Sequence, residues 1–152
     1  MLIGIISDTH GLIRPQALDA LRGCDVIVHA GDIGSTQVLD ALGAIAPVFA
    51  VRGNNDNGEW ARSLPDTEVV TALDHTLYVL HDLQQLDLDP AAAQFSVVIC
   101  GHSHKPHAER REGVLYLNPG SAGPRRFNLP IAVAKLRLQD RSIEHELIEL
   151  AV

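Results

Sequence analysis

The run Met1-Leu2-Ile3-Gly4-Ile5-Ile6-Ser7-Asp8-Thr9-His10 decides the fold. Leu2 to Ser7 is almost unbroken in apolar character, the pattern of a strand buried on both faces, and such strands belong to the parallel sheets of α/β proteins. The run then turns polar at Asp8-Thr9-His10. It carries no basic leading region and no small-residue cleavage site, so it reads as a first strand and not as a signal peptide.

The pattern repeats downstream. Pro15 suits the first turn of a helix through Ala17, Leu18 and Leu21, and Gly23 is placed to end it. Asp25 to Ala30 reads as a second strand that stops at Gly31-Asp32. Ser35 is predicted to cap a helix carrying Val38, Leu39 and Leu42, with Gly43 as its stop. Val48 to Val51 is a third strand, ending at Gly53-Asn54. This alternation implies right-handed crossovers and a parallel core.

The second half changes character. Glu68 to Ala72 and Thr76 to His81 read as a hairpin, followed by a polar connection containing Pro90 with a short helix around Ala91 to Gln94. Ser96 to Cys100, Val114 to Leu117, Ile131 to Leu138 and Ser142 to Leu150 read as strands, the last two joined as a hairpin through Gln139-Asp140-Arg141. No repeat or linker divides the chain, so residues 1–152 are expected to form a single α/β domain with mixed sheets.

Bulk properties narrow the functional classes. With 152 residues, 46% hydrophobic and 20% charged, the chain has enough apolar material for one core and no compositional sign of disorder. Its apolar runs are strand-sized, short of the roughly 20 residues that cross a bilayer. Two cysteines, Cys24 and Cys100, do not make a disulfide framework and are expected as buried thiols, which points to the cytoplasm. The formal charge of −7 argues against a general nucleic-acid-binding surface, which needs a basic stripe. It leaves room for a small phosphorylated substrate, because bound divalent cations reverse the sign of a carboxylate-rich site.

The informative feature is where the polar side chains fall. The first strand ends on Asp8 and His10, the second on Asp32, the third on Asn54 and Asp56, and later strands on His81 and on His102 and His104. Ligands collect at the carboxyl ends of strands in α/β sheets. Taken singly, Asp8 and Asp32 suit helix caps or turns, and the histidines suit exposed loops. Taken together, carboxylate oxygen, imidazole nitrogen and amide oxygen form the donor set of a hard or borderline divalent pair, and no thiolate is present at these turns. Two such ions about 3.5–4 Å apart hold a phosphate and supply a water whose pKa falls to around 7, so no nucleophilic serine or cysteine is required.

Asp8-Thr9-His10, Gly31-Asp32, Gly53-Asn54-Asn55-Asp56, His81 and Gly101-His102-Ser103-His104 together resemble the blocks of the calcineurin-like metallophosphoesterases. Asn118-Pro119-Gly120-Ser121 is similar to a further segment of their small bacterial and archaeal phosphodiesterase branch. The resemblance implies a four-layer αββα sandwich, with two mixed β-sheets flanked by helices and the site at one edge of the sheets. It implies two divalent ions per chain, manganese first, with iron, zinc, nickel and magnesium also compatible. One ion would be held by Asp8, His10, Asp32 and His104, the other by Asp32, Asn54, His81 and His102, with Asp32 shared. The implied activity is metal-dependent hydrolysis of a small phosphodiester. The alternative is a protein-binding scaffold that keeps the fold without the chemistry.

Asn55 and Asp56 occupy the catalytic position of that pattern, Asn55 as a hydrogen-bond donor and Asp56 by fixing the turn through backbone amides. Many active relatives carry His, and small-branch relatives often Cys, where this chain has Asn55. An amide donates a hydrogen bond but is no general acid, so weak activity on poor leaving groups is expected. Asp82 follows His81 where relatives usually have Gly; it either adjusts the turn or adds a carboxylate behind the ligands. His29 is expected to pack behind the site, and His75, His107 and His145 to be solvated. Arg125 or Arg126 either reaches the phosphate or stays exposed, and Trp60 is either a lid or a core contact.

Overall fold

The computed structural model describes residues 1–152. β1 (Leu2–Ile6) is the central strand of a five-stranded sheet that also contains β2 (Val26–His29), β3 (Val48–Ala50), β9 (Ala132–Gln139) and β10 (Ser142–Glu149), in the order β10-β9-β1-β2-β3. β1, β2 and β3 run parallel, with Ile6 opposite His29 and His29 opposite Ala50, whereas β9 and β10 are antiparallel additions. The crossovers contain α1 (Pro15–Leu21) and α2 (Thr36–Gly43).

A second five-stranded sheet stacks on the first. It contains β4 (Thr67–Ala72), β5 (His75–Leu80), β6 (Val97–Ile99), β7 (His107–Arg111) and β8 (Val114–Asn118), in the order β4-β5-β6-β8-β7. β5, β6 and β8 are mutually parallel; the other pairings are antiparallel. Both sheets are mixed, as expected for this fold.

The alternation of β1 explains the stacking. Ile3 and Ile5 point into the inter-sheet core with Val28, Leu77, Val79, Ile99 and Leu117, all buried. Ile6 points the other way, into a second core with Ala17 and Leu21 of α1 and Val38 and Leu42 of α2. Full burial of each branched aliphatic side chain contributes roughly 1.5–3 kcal/mol, so the central strand is anchored from both faces. The outer face of the second sheet is covered more thinly. Tyr78 stacks on Phe95 with ring centroids 5.0 Å apart, and Leu83, Leu86 and Leu88 complete the patch.

Several local expectations fail. The segment expected as a helix around Ala91 to Gln94 is a single set of turns: Asp89 caps it by accepting from the Ala91 and Ala92 N–H groups, but the backbone bonds end with Phe95 N–H on the Pro90 carbonyl, before a second helical turn forms. The fourth layer is therefore this connection plus a 3-10 turn over Leu83–Gln85, without an α-helix. Ser35 occupies the cap position of α2, but its hydroxyl bonds no helix amide. Gly43 is the last residue of α2 and not the stop beyond it. β7, missed from sequence, is an exposed polar edge strand whose Arg111 lies 4.8 Å from the Tyr116 ring centre. His75 is buried, contrary to the expectation of a solvated ring; its Nε2 sits 2.6 Å from the Gln139 carbonyl, linking the two sheets. No helix is long and apolar enough to cross a membrane.

Candidate metal centre

The parallel strands of both sheets release their chains at one edge. Asp8 and His10 follow β1, Asp32 follows β2, Asn54 to Asp56 follow β3, His81 follows β5, and His102 and His104 follow β6. Five of these residues have left-handed backbone conformations: Asp8 at φ 56°, His10 at 47°, Asp32 at 56°, His102 at 71° and His104 at 62°. Such conformations cost a residue with a Cβ about 1 kcal/mol or more. The surrounding bonds enforce them. Asp8 N–H donates to the Gly31 carbonyl, His10 N–H to Asp32, and Gly11 N–H to Ile33, so the first two loops are laced together. Glycine is required at Gly53, where a Cβ would meet the Asp32 carboxylate, and at Gly101, where it would meet Ser7 Oγ and Asp8 Oδ2.

Two trios of ligand-type atoms result: Asp8 with His10 and His104, and Asp8 with Asp32 and His81. Asp8 Oδ1 is 3.3 Å from His104 Nε2 and 3.9 Å from both His10 Nε2 and His81 Nε2. Asp32 Oδ2 is 3.3 Å from His81 Nε2 and 3.8 Å from His10 Nε2. The two carboxylates thus stand between the histidines of both groups. Asn54 and His102 lie outside the trios and form a neighbouring pair, with His102 Nδ1 3.2 Å from Asn54 Oδ1.

Asp8 is aimed by its other oxygen. Asp8 Oδ2 accepts from Ser7 Oγ at 2.6 Å and from His102 N–H at 3.0 Å, which turns Oδ1 toward the histidines. His81 Nδ1 donates to the Ala30 carbonyl at 2.7 Å, leaving the Nε2 lone pair facing the carboxylates. Asp8 Oδ1 and His81 Nε2 are buried and have no hydrogen-bond partner. A buried polar atom left unpaired costs about 1–3 kcal/mol. Divalent cations bound among these oxygens and nitrogens would satisfy both atoms, and the donor set suits manganese, iron or zinc. The residues therefore fit a metal centre.

The charges agree with this reading. Burial by itself would raise the carboxyl pKa values of Asp8 and Asp32, but hydrogen bonds and neighbouring histidines overcome it and hold both below the usual range. Burial would lower His81, yet Asp32 and Asp8 raise it. The same negative potential that draws a proton onto His81 would draw a cation. His29 behaves differently: it is buried, and desolvation pushes it down to about 4. Its Nδ1 accepts from Gly31 N–H, and Nε2 faces Thr9 Oγ1 at 3.0 Å, so it packs behind the loops as anticipated.

Asn55 faces Asp32, with its backbone N–H on Oδ1 and its side-chain amide on Oδ2. Asp56 accepts from the Ile33, Gly34 and Gly53 N–H groups, joining the second and third loops. Sequence reasoning did not single out Ser7 or the individual roles of Asn118 and Ser121. Asn118 Nδ2 donates to the Gly101 carbonyl, and Ser121 Oγ to the Asp8 carbonyl, so both brace ligand loops from behind. Their signal was position: Ser7 precedes Asp8, and the other two flank Pro119-Gly120. Arg125 and Arg126 are exposed, and Trp60 packs half-buried against the helix-side core. A cleft of about 760 Å³ opens beside Asn54, His81 and Asp82 and extends toward Arg52, Arg62 and Tyr78.

Comparison with known proteins identifies the family of the chain. The chain is 34% identical to a probable metallophosphoesterase of Methanothermobacter thermautotrophicus, an alignment covering 97% of this chain and 92% of that protein. It is 30% identical to the phosphodiesterase YfcE of Escherichia coli over 80% of this chain and 79% of that protein. Among solved structures, Vps29 of Chaetomium thermophilum shares the fold with a TM-score of 0.81 at 21% identity, covering 94% of this chain and 84% of that one. Residues 1–141 match the family model described as the calcineurin-like phosphoesterase superfamily domain. The chain is a member of that calcineurin-like phosphoesterase superfamily.

Proposed function

We propose that this protein is a phosphodiesterase that works with two divalent ions, most suitably manganese, held at the common edge of its two sheets. The observation that carries the proposal is the unpartnered, buried Asp8 Oδ1 set among His10, His81 and His104. A protein-binding scaffold has no need to bury a bare carboxylate oxygen among three imidazoles. In this reading one ion takes Asp8, His10, Asp32 and His104, and the other takes Asp32, Asn54, His81 and His102. The phosphodiesterase name of the Escherichia coli relative supports the reaction class.

The bound ions would supply Lewis acidity to the phosphate oxygens and a water acidic enough to attack near neutral pH. The chain's own groups hold the geometry. Ser7 and the His102 N–H fix Asp8, Asn55 fixes Asp32, and Asp56 ties the Asp32 and Asn55 loops together. Asn55 has no titratable proton, so the departing alcohol receives none from this residue. Esters of acidic alcohols are therefore the favoured substrates. The polar cleft beside His81 accommodates the substituent that is not cleaved.

Hydrolysis of bis(4-nitrophenyl) phosphate with manganese, against a chelated control, tests the proposal. Turnover that disappears on chelation and returns with the metal supports it. A folded protein that remains inactive with manganese, iron and zinc would leave the scaffold reading instead.

A further inference from the structure

We infer that Asp82 is a positioning residue that holds the His102 imidazole in the tautomer able to bind a cation; the inference rests on the two-ion reading above. Asp82 follows β5 and His81, and caps the 3-10 turn over Leu83–Gln85. Its Oδ1 accepts from Gln84 N–H at 3.0 Å, which fixes the plane of the carboxylate. The other oxygen, Oδ2, lies 3.8 Å from His102 Nε2. The opposite ring nitrogen, His102 Nδ1, lies 3.2 Å from Asn54 Oδ1.

A neutral imidazole has one N–H, and its position decides what the ring can do. With the proton on Nδ1, the ring donates to Asn54 and has no Nδ1 lone pair for a metal, while a bare Nε2 lone pair faces a carboxylate. With the proton on Nε2, the N–H faces Asp82. Nδ1 and Asn54 Oδ1 then present two lone pairs side by side, at the spacing of adjacent ligands with metal bonds of about 2.1 Å. The Asp82 charge favours the second arrangement. At 3.8 Å it acts through its field and through a water or small ring rotation, not a direct hydrogen bond.

His102 needs such a partner more than His81 does. His81 is buried and its rear nitrogen is fixed by the Ala30 carbonyl. The His102 side chain is 45% exposed, and nothing else fixes its Nε2. A carboxylate behind a ligating histidine sets its tautomer and raises its basicity, and losing such a partner typically costs about 10- to 100-fold in metal affinity.

Asp82→Asn and Asp82→Ser retain a side chain able to cap the 3-10 turn, so they separate the charge from the cap. Calorimetric titration of the full chain with manganese is expected to show two ions in the wild type. In both variants the second ion should bind about 10- to 100-fold more weakly, with the first unchanged. In a His102→Ala background, Asp82→Asn should produce no further loss. Nitrogen NMR of the zinc-loaded wild type, which requires no variant, should show His102 protonated at Nε2. A proton at Nδ1, or variants that bind both ions with wild-type affinity, would overturn the inference. A wild type that binds only one ion would overturn the two-ion reading and this inference with it; two ions with unaltered variants would remove this inference alone.

Discussion

Asn55 grips both oxygens of Asp32, donating its backbone N–H to Oδ1 at 2.9 Å and its side-chain amide to Oδ2 at 3.0 Å. The second of these oxygens also lies 3.3 Å from His81 Nε2 and 3.8 Å from His10 Nε2. Asn55 is therefore tied to the carboxylate proposed to be shared by both ions. Its amide supplies position to Asp32 and no proton to a leaving group.

Leaving-group dependence tests that role. The wild type should cleave nitrophenyl diesters far faster than alkyl diesters. Asn55→His should narrow the gap by raising the alkyl rate, at most by the roughly 10²–10⁴-fold that a well-placed general acid supplies. The variant also loses one hydrogen bond to Asp32, so bound metal must be measured in the same samples. Full metal content without any selective gain on alkyl esters would mean that proton donation is not what this site lacks.

Asp32→Ala should release most of the metal from both positions and reduce diester hydrolysis by at least about 10²-fold, because Lewis acidity at both ions depends on this carboxylate. Elemental analysis after gel filtration reads the outcome. Retention of both ions would remove Asp32 as the shared ligand and leave Asp8, whose Oδ1 belongs to both trios.

The fold was legible wherever burial and backbone pattern agreed. The apolar run of β1 specified a first strand buried on both faces with Asp8 and His10 in the turn after it, and Ile3 and Ile5 on one face and Ile6 on the other are buried accordingly. Pro15 opened α1 as its fixed φ requires. The polar edge strand β7 was illegible because its side chains are almost all exposed and carry no alternation. The Ala91 to Gln94 segment has the cap of a helix in Asp89, but it leads into Ser96 and β6 after one turn, too soon for a helix to propagate. His75 gave no signal either, since its partner is a backbone carbonyl 64 residues away. In the candidate site, residue types and strand-end positions pointed to this edge, where Asp8, His10, Asp32, His81 and His104 meet and Asn54 and His102 stand beside them. The Asn55–Asp32 clamp and the Ser7–Asp8 bond depend on rotamers that no spacing encodes.

His29 gives the fold a measurable acid dependence. Its pKa falls from 6.5 in the unfolded chain to about 4 when buried, because desolvation disfavours the imidazolium. Between those values the unfolded chain binds a proton that the folded one rejects. Stability contributed by neutral His29 is therefore complete above pH 6.5 and is lost as pH falls toward about 4, a change of about 3 kcal/mol. His81, whose pKa is raised, works in the opposite direction over the adjacent range, so the comparison must be between wild type and His29→Asn. Urea unfolding of the chelated proteins from pH 7 to 4 should show the variant losing less stability than the wild type. Parallel losses would show that His29 is not the group responsible.

Cys100 should be inert in the native protein. Burial first, then the charges of Asp8 and Asp82, push its thiol up to about 12, and Cys24 is also raised by burial. The reactive thiolate is correspondingly scarce at pH 8. Mass spectrometry after iodoacetamide treatment should find both cysteines unmodified in the folded chain and both alkylated in urea. Rapid native labelling of Cys100 would contradict the packed environment behind Gly101.

The most direct measurement is the count and coupling of manganese ions in the reconstituted protein. Elemental analysis should give two ions per chain, and electron paramagnetic resonance should show an exchange-coupled pair, the signature of ions sharing a carboxylate. A single ion per chain, two magnetically isolated ions, or no bound manganese would contradict the shared-carboxylate centre on which the proposed phosphodiesterase chemistry depends.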